Sequence, residues 1–410
     1  MERWKINLYA LWVSQVCSLM SFGFSIPFIP FYFQELGVLN SVQLNYYVGL
    51  AATLPAAAMA VAAPIWGIIS DRFGRKMMIL RAMFFAALIL ASMGMVHTVW
   101  QFMVLRICQG IFTGTSTASM GFVSVNTPEN RMSYALGLMT SSNFLGWSIG
   151  PFIGGLLAEA VGYRLCFSLG AMLMSIGFFV VLFVVKEDKN TFGYRMRTAE
   201  KPKKRKASVL TPFITTIMIC LLVQRIVRSV FTPFLALYVQ ENLGTISGAA
   251  SYTGFINGAI SFATAAAALT ITRLGDKRDK LKMAMHLTLM SIPVIMLTLY
   301  SSSLLFFAVL FSAFYYLAGG VEPILSSAAS EHTPAHMRGV LFGIMGTVSS
   351  VGAMVSPVMG SYVSVNFGLK AILVIIPIFT VIQVICTYIA MKKTSSLSID
   401  EEVKEGDSVL

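Results

Sequence analysis

Long apolar stretches separated by short polar segments make up most of the 410 residues. A membrane helix needs about 20 mainly apolar residues. Twelve runs meet that requirement: 8–33, 44–69, 77–96, 99–125, 133–158, 163–185, 212–239, 248–272, 283–300, 303–329, 339–363 and 369–391. Polar and apolar residues do not alternate within the runs, which excludes a β-barrel. The pattern predicts an all-α membrane protein with twelve transmembrane helices.

Composition excludes several other classes of protein. Hydrophobic residues make up 56% of the chain and charged residues only 12%, whereas a soluble domain has about 25% charged residues. The net charge of +12 comes from short loops and not from one polar face, so we expect no nucleic-acid partner. The five cysteines lie in apolar runs without ligand spacing, so we expect no disulfide, no metal site and no cofactor.

The distribution of Lys and Arg predicts the topology. If the N-terminus is cytoplasmic, the loops on the outer side contain only Arg164 and Lys370, and nearly all other basic residues lie on the inner side. Basic residues concentrate in cytoplasmic loops. The sequence therefore predicts a multi-pass protein of the cell membrane, the inner or cytoplasmic one, with both termini in the cytoplasm.

An internal repeat organises the chain into two halves. The matching positions are Pro27 and Pro233, Gln34 and Gln240, Gly146 and Gly352, Pro151 and Pro357, and Gly162 and Gly368. We predict a six-helix bundle over 1–189, a basic cytoplasmic linker over 190–211, a second six-helix bundle over 212–391 and a cytoplasmic tail over 392–410. Two pseudo-symmetric bundles in the same orientation predict a substrate site between them, and we expect a monomer.

A short loop after the second run is dense in charge. It reads GIISDRFGRKMMIL and contains Asp71, Arg72, Gly74 and Arg75. The glycine permits a tight turn, and the aspartate is suited to a helix N-terminus or a basic partner. The loop is either a latch that releases during transport or a solvated segment whose charges only set the topology.

The fifth run contains a stripe of small residues in GWSIGPFIGG. Gly146, Gly150 and Gly154 recur every four residues and share one helix face, which lets a second helix approach closely. Pro151 removes one backbone hydrogen bond and favours a kink. Ordinary close packing explains the stripe equally well.

These segments resemble the signatures of a known family. GIISDRFGRKMMIL is similar to the loop signature of the major facilitator superfamily, and GWSIGPFIGG resembles the fifth-helix signature of its proton-coupled drug antiporters. The fourth run, LRICQGIFTG, resembles the fourth-helix pattern of the same group. The spacing along the whole chain is similar to that of bacterial multidrug exporters with twelve spans.

The resemblance implies roles for individual residues. It implies a cytoplasmic gate for the charged loop residues and proton coupling for Arg106. For the fifth-helix signature it implies restriction of leak, which favours antiport. The residues that would carry these roles are Asp71, Arg72, Gly74 and Arg75 in the gate, and Gly146, Gly150, Pro151 and Gly154 in the signature.

Charged residues inside the runs are the best candidates for chemistry. Each central charge costs about 2.5–3.5 kcal/mol to insert, and the runs hold one deep carboxylate, Glu322, with Arg106, Arg225 and Arg228. Arg225 and Arg228 are three residues apart and share a helix face. We expect Glu322 to carry the proton. A carboxyl group beside an arginine stays ionised, and its pKa rises when substrate takes that arginine away. A permanent Glu–Arg ion pair is the structural alternative.

The excess of positive charge in the runs disfavours cations and suits anionic or zwitterionic amphiphiles. Uncharged polar residues in the same runs either bind substrate or hold helices together by hydrogen bonds. They are Gln109, Asn143, Gln224 and Asn257.

The favoured function is a proton-coupled exporter of drugs or toxic amphiphilic small molecules, with protons and the lipid bilayer as its other partners. No GxxxxGK[ST] loop occurs, so ATP is not the expected energy source. A dedicated exporter of an anionic metabolite such as a siderophore, and an uptake symporter, remain as alternatives. The fifth-helix signature argues against the symporter. An enzyme or sensor in the membrane is disfavoured, since no nucleophile–base or metal constellation occurs.

Overall fold

Helices form nearly all of the computed structural model, which describes residues 2–128, 131–187, 210–275, 279–301, 303–334 and 337–407. The α-helices in these ranges are α1 Arg3–Gly23, α2 Ile29–Glu35, α3 Ser41–Phe73, α4 Arg75–Gly94, α5 Val99–Phe112, α6 Thr115–Asn126, α7 Met132–Val161, α8 Tyr163–Val184, α9 Pro212–Ser229, α10 Leu235–Leu243, α11 Ala249–Gly275, α12 Lys280–Leu299, α13 Leu304–Gly319, α14 Val321–Glu331, α15 Arg338–Phe367 and α16 Leu369–Asp407. No strand occurs in the described ranges. The all-α membrane fold predicted from the apolar runs is confirmed.

Eleven helical segments of the described chain are long and apolar enough to cross a membrane. The fourth predicted run, 99–125, is divided between α5 and α6, which have 14 and 12 residues. The break lies at Gly114, whose φ of 120° is readily adopted by glycine alone. The fourth span is therefore a broken helix and not the continuous one that its hydropathy predicts.

The order and boundaries of the helices repeat along the chain. Helix α7 begins and ends 206 residues before α15, the same separation as between Gln34 and Gln240. Short 3₁₀ turns at Ile26–Phe28 and Thr232–Phe234 follow α1 and α9 at that offset. The glycines that end α7 and α15 have φ values of 83° and 87°. The repeat of Pro and Gly positions thus corresponds to a repeat of structural elements.

Contacts divide the described residues into two units. The first lies within Met1–Arg205 and Pro233–Phe262, and the second within Lys206–Thr232 and Ala263–Leu410. The segment Pro233–Phe262 belongs to the first unit because α10 packs on α2 and the start of α11 packs on α7. The boundary at the basic linker, which lies largely outside the described residues, stays a prediction.

Each unit has its own apolar core. In the first unit Tyr32 and Phe33 pack against Phe102, with ring centroids 5.9 and 5.1 Å apart, and the Tyr32 hydroxyl donates to the carbonyl oxygen of Met93 at 3.0 Å. In the second unit, buried residues of α9, α11, α12, α14, α15 and α16 form one cluster that includes Ile217 and Leu325. These cores hold the helices that position the polar residues described below.

Candidate functional site

An ion pair joins two helix ends in the second unit. Arg228 lies in the last turn of α9 and Glu322 in the first turn of α14. Arg228 Nη1 is 3.1 Å from Glu322 Oε2, and the two side chains are 20% and 38% exposed. A cation is stabilised at a helix C-terminus and an anion at an N-terminus. Both charges thus lie where the helix dipoles favour them, and the carboxylate remains partly open.

The Glu322 carboxylate lies beside a break between α13 and α14. Helix α13 ends at Gly319 and α14 begins at Val321, so Glu322 occupies a helix N-terminus inside a predicted span. Gln224 Nε2 donates to the carbonyl oxygen of Ala318 at 2.8 Å. Polar side chains often satisfy backbone groups that a helix break frees inside a membrane. Gln224 therefore holds α9 against α13, which is the structural role that the sequence leaves open for it.

Tyr315 anchors the cationic end of α9, a role that the sequence analysis missed. Its buried hydroxyl donates to the carbonyl oxygen of Arg228 and lies 3.1 Å from Thr232 Oγ1. Tyr315 precedes Glu322 by seven residues, a spacing that would place both on one face of a continuous helix. That spacing, together with a hydroxyl in an apolar run, was the available signal.

Arg225 contributes a second guanidinium to the same unit. Its side chain passes over Gly352 of α15, where an added Cβ would lie 2.8 Å from Arg225 Cβ and Cγ. The repeat has the same contact between Gly146 and Leu19, where an added Cβ would lie 2.5 Å from Leu19 Cβ. Arg225 therefore occupies a helix-packing position that is apolar in the other half of the sequence.

The two arginines have donors to spare. The Nε atoms of both Arg225 and Arg228 are buried and have no hydrogen-bond partner among the described residues. Glu322 forms its ion pair with Arg228. A buried donor without a partner costs about 1–3 kcal/mol. The cluster therefore keeps two buried donors for which the described residues supply no acceptor.

Alanine at Gly352 tests whether this packing positions Arg225. The new methyl group would overlap the Arg225 stem, and we expect a destabilisation of about 1–3 kcal/mol with weaker binding of anionic dyes. Gly346→Ala is the matched control, because a Cβ there meets nothing within 4 Å on the same helix. Thermal unfolding and dye binding of the purified variants measure the effect. Equal behaviour of the two variants would contradict this packing role.

The first unit holds the other predicted polar residues. Arg106 is 5% exposed, and its Nε and Nη1 donate to the carbonyl oxygen of Ala51 at 2.7 Å and to Gln109 Oε1 at 2.6 Å. Asn143 Oδ1 is 3.4 Å from Ser116 Oγ on α6. Asn257 Nδ2 donates at 3.0 Å to a carbonyl of its own helix. The structure thus joins Arg106 with Gln109, but it does not pair either with Asn143 or Asn257.

The predicted cytoplasmic gate is described in part. The side chains of Asp71 and Arg72 lie outside the described part of the chain. Gly74 separates α3 from α4 with a φ of 97°, and the Arg75 guanidinium donates to the carbonyl oxygen of Gly121. Glu187, which the sequence analysis missed, accepts the backbone N–H groups of Arg75 and Lys76 at 3.0 Å each. A carboxylate at a helix N-terminus is stabilising, so the segment after α8 is attached to this turn.

The glycine stripe of α7 packs against α1. A Cβ at Gly154 would lie 2.6 Å from the Cα atom of Phe24, and Gly146 and Gly150 are similarly close to α1. Gly155 contacts α11, where a Cβ at Gly254 would lie 2.3 Å from the carbonyl oxygen of Pro151. The stripe therefore makes the close helix packing that its spacing predicts.

Two polar contacts accompany this packing in the first unit. Gln34 and Gln240 exchange two side-chain hydrogen bonds of 2.7 and 3.0 Å. The Glu159 carboxylate accepts the backbone N–H of Ser251 at 2.9 Å and its hydroxyl at 2.7 Å. Neither contact was predicted from the sequence. The match of Gln34 with Gln240 in the repeat was the available signal.

Internal repeats of helical halves are a feature of many secondary transporter folds. In the described ranges no group of three His, Cys, Asp or Glu side chains is placed to hold a metal ion. The sequence model of the Major Facilitator Superfamily matches residues 11–217 and 217–406. The chain therefore belongs to the Major Facilitator Superfamily, a family of multi-pass membrane transporters of small molecules, and the resemblance stated above is confirmed.

Individual relatives and solved structures agree with this assignment. The chain is 27% identical over 376 residues to the multidrug resistance protein MdtG of Escherichia coli K12, covering 91% of each protein. A bacterial homologue of the human lysosomal transporter Spinster, inward-facing and occupied, has a TM-score of 0.79 and 14% identity, over 94% of this chain and 96% of that one. The human organic anion transporter MFSD10 (TETRAN) has a TM-score of 0.69 and 13% identity, over 94% and 100%. These two structures support the fold.

Proposed function

We propose that this protein exports drugs or other toxic amphiphilic small molecules across the cell membrane in exchange for protons. The observation that carries the proposal is the Arg228–Glu322 ion pair of 3.1 Å beside Arg225. The similarity to a protein named for multidrug resistance supports the substrate class. We further infer that the protein acts as a monomer in the inner membrane, with both termini in the cytoplasm, as the distribution of basic residues indicates.

Glu322 exchanges the proton in this mechanism. Arg228 Nη1 donates a hydrogen bond to its carboxylate at 3.1 Å. A hydrogen-bond donor or cationic group of the substrate competes with the proton for the Glu322 carboxylate, while an anionic group of the same substrate binds the guanidinium groups. Substrate and proton thereby exclude one another, which is the requirement for antiport. Asp71, Arg72, Gly74 and Arg75 gate the cytoplasmic side, and the packing of Gly146, Gly150, Pro151 and Gly154 restricts leak.

The charge balance of the cluster favours anionic or zwitterionic amphiphiles. Glu322 pairs with Arg228, and the buried Nε donors of Arg225 and Arg228 have no partner in the described residues. A substrate carboxylate supplies the missing acceptor and the missing charge. Polar groups at Gln109, Asn143, Gln224 and Asn257 add hydrogen bonds to other parts of the substrate. The same spare donors favour, as a second candidate, a dedicated exporter of one anionic metabolite.

Transport of charge-matched dyes tests the proposal. The purified protein is reconstituted in vesicles with an acidic lumen and a pH-sensitive dye inside, and carboxyfluorescein, rhodamine B or rhodamine 6G is added outside. Rhodamine B is zwitterionic and rhodamine 6G is its cationic counterpart. We expect protons to leave the lumen as carboxyfluorescein or rhodamine B enters, with a weaker response to rhodamine 6G.

Three results would contradict the proposed antiport, the anionic bias or the broad substrate range. Movement of dye and proton in the same direction would identify a symporter. A stronger response to rhodamine 6G than to rhodamine B would refute the anionic bias. Response to a single anionic metabolite, with none to the dyes, would favour the dedicated exporter.

A further inference from the structure

The hydrogen bond from Arg106 reaches a backbone atom that the sequence itself leaves without a partner. In an α-helix the N–H of residue 55 would donate to the carbonyl oxygen of residue 51. Residue 55 is a proline within the continuous helix α3, and proline has no N–H. The carbonyl oxygen of Ala51 therefore lacks its helical donor. Arg106 Nε is the donor that replaces it, at 2.7 Å.

A second contact one turn further along α5 brings the same two helices together. Gly110 lies four residues after Arg106, as Pro55 lies four residues after Ala51. A Cβ at Gly110 would lie 2.3 Å from the carbonyl oxygen of Pro55. The helices therefore meet backbone to backbone at this point, and the arginine fills the adjacent turn.

The repeat provides an internal comparison. Asp71 and Asp276 match at an offset of 205 residues. At the same offset Ile260 replaces Pro55, and Phe311 replaces Arg106. Ile260 keeps its backbone N–H, so the carbonyl oxygen at the corresponding position needs no donor from another helix. Proline and arginine thus occur together in one half and are absent together from the other.

We propose that Arg106 is a positioning residue, which supplies to α3 the hydrogen bond that Pro55 removes and so holds α3 and α5 as one body. The role in proton coupling that the family resemblance implies is then exerted through helix position and not by titration of the arginine. This refinement rests on the proposed proton-coupled transport, but the hydrogen bond itself does not.

The test is a double-variant cycle. Arg106→Met removes the donor at similar side-chain length, and Pro55→Ala restores the helical N–H of residue 55. We expect Arg106→Met to lower transport per folded protein by about tenfold or more, the scale of losing a hydrogen bond to a charged group. In the pair Pro55→Ala with Arg106→Met, we expect turnover within about threefold of Pro55→Ala alone and an unchanged pH profile, because the backbone bond is restored.

Pro64→Ala is the matched control, since Pro64 is the other proline inside α3 but does not follow Ala51 by four residues. It should not rescue Arg106→Met. Arg106→Lys, which keeps one donor and the charge, should retain part of the activity. If Arg106→Lys is active while the Pro55→Ala pair remains inactive or shifts its pH profile, the charge of Arg106 matters directly and the proposal is wrong. Rescue by Pro64→Ala as well would also overturn it.

Thermal unfolding of the same variants separates this inference from the proposed function. The melting temperature of Arg106→Met should fall, and Pro55→Ala should recover most of the loss whereas Pro64→Ala should not. This readout needs no substrate. If wild-type vesicles transport none of the dyes, the proposed function fails while the stability cycle still tests the hydrogen bond. Additive stability effects of the Pro55 and Arg106 changes would refute the inference.

Discussion

Glu322→Gln should abolish proton-coupled export while leaving the protein folded and able to bind substrate. Glutamine has nearly the same shape and still accepts a hydrogen bond from Arg228, but it cannot take up and release a proton. Net transport driven by a pH gradient should therefore stop. Exchange of labelled for unlabelled rhodamine B across the membrane without a gradient should continue. Both are measured in vesicles with equal amounts of folded protein.

The same helix offers a matched control for this experiment. Glu331 ends α14, its side chain is 58% exposed and it pairs with Lys280, so Glu331→Gln removes a carboxylate without touching the cluster. Because Glu331 is largely solvated and lies outside the Arg225–Arg228–Glu322 cluster, transport by this variant should remain close to wild type. Full activity of Glu322→Gln would refute the assignment of the proton site. Equal loss in both variants would show that any change in α14 is harmful.

Cross-linking residue 34 to residue 240 should arrest transport almost completely. The two side chains are joined by hydrogen bonds of 2.7 and 3.0 Å, and they belong to opposite halves of the repeat. Rocking of one predicted bundle against the other must separate them. In a background without the five native cysteines, Gln34→Cys with Gln240→Cys should lose substrate transport after treatment with a short thiol cross-linker, and a reductant that cleaves it should restore transport.

A pair within one predicted bundle distinguishes arrest of rocking from general damage. Arg164 Nε is 3.2 Å from Glu35 Oε1, and both residues lie in the N-terminal half of the repeat. The double variant Glu35→Cys with Arg164→Cys, cross-linked by the same reagent, should keep its transport rate. Continued transport after complete cross-linking of residues 34 and 240 would show that this contact persists throughout the cycle.

Properties that depend on local sequence were predictable. Apolar length predicted the helix at 163–185 to within one residue of α8, Tyr163–Val184, because burial of the backbone in lipid requires a helix of that length. The rarity of charge inside membrane spans identified Arg106, Arg225, Arg228 and Glu322 as the residues to examine. Breaks were less predictable, since Gly114 interrupts a run whose hydropathy is continuous.

Pairings between distant residues were not predictable. The sequence proposed either arginine of the seventh run as the partner of Glu322, and the packing of Arg225 on Gly352 leaves Arg228 as the residue that makes the ion pair. Glu187 reaches the start of α4 across more than a hundred residues. Tyr315 contacts a backbone carbonyl oxygen. Every residue has such an oxygen, so the sequence does not indicate which one is contacted.

The amino-acid sequence alone determined that the chain enters the membrane, where its helices form and which few charges lie among them, because each of these follows from the free energy of placing a local segment in lipid. Tertiary packing decided which of those charges meet and which carbonyl Arg106 reaches. A hydrogen bond or ion pair depends on distances of a few ångströms between helices, and those distances arise only when the helices are packed together.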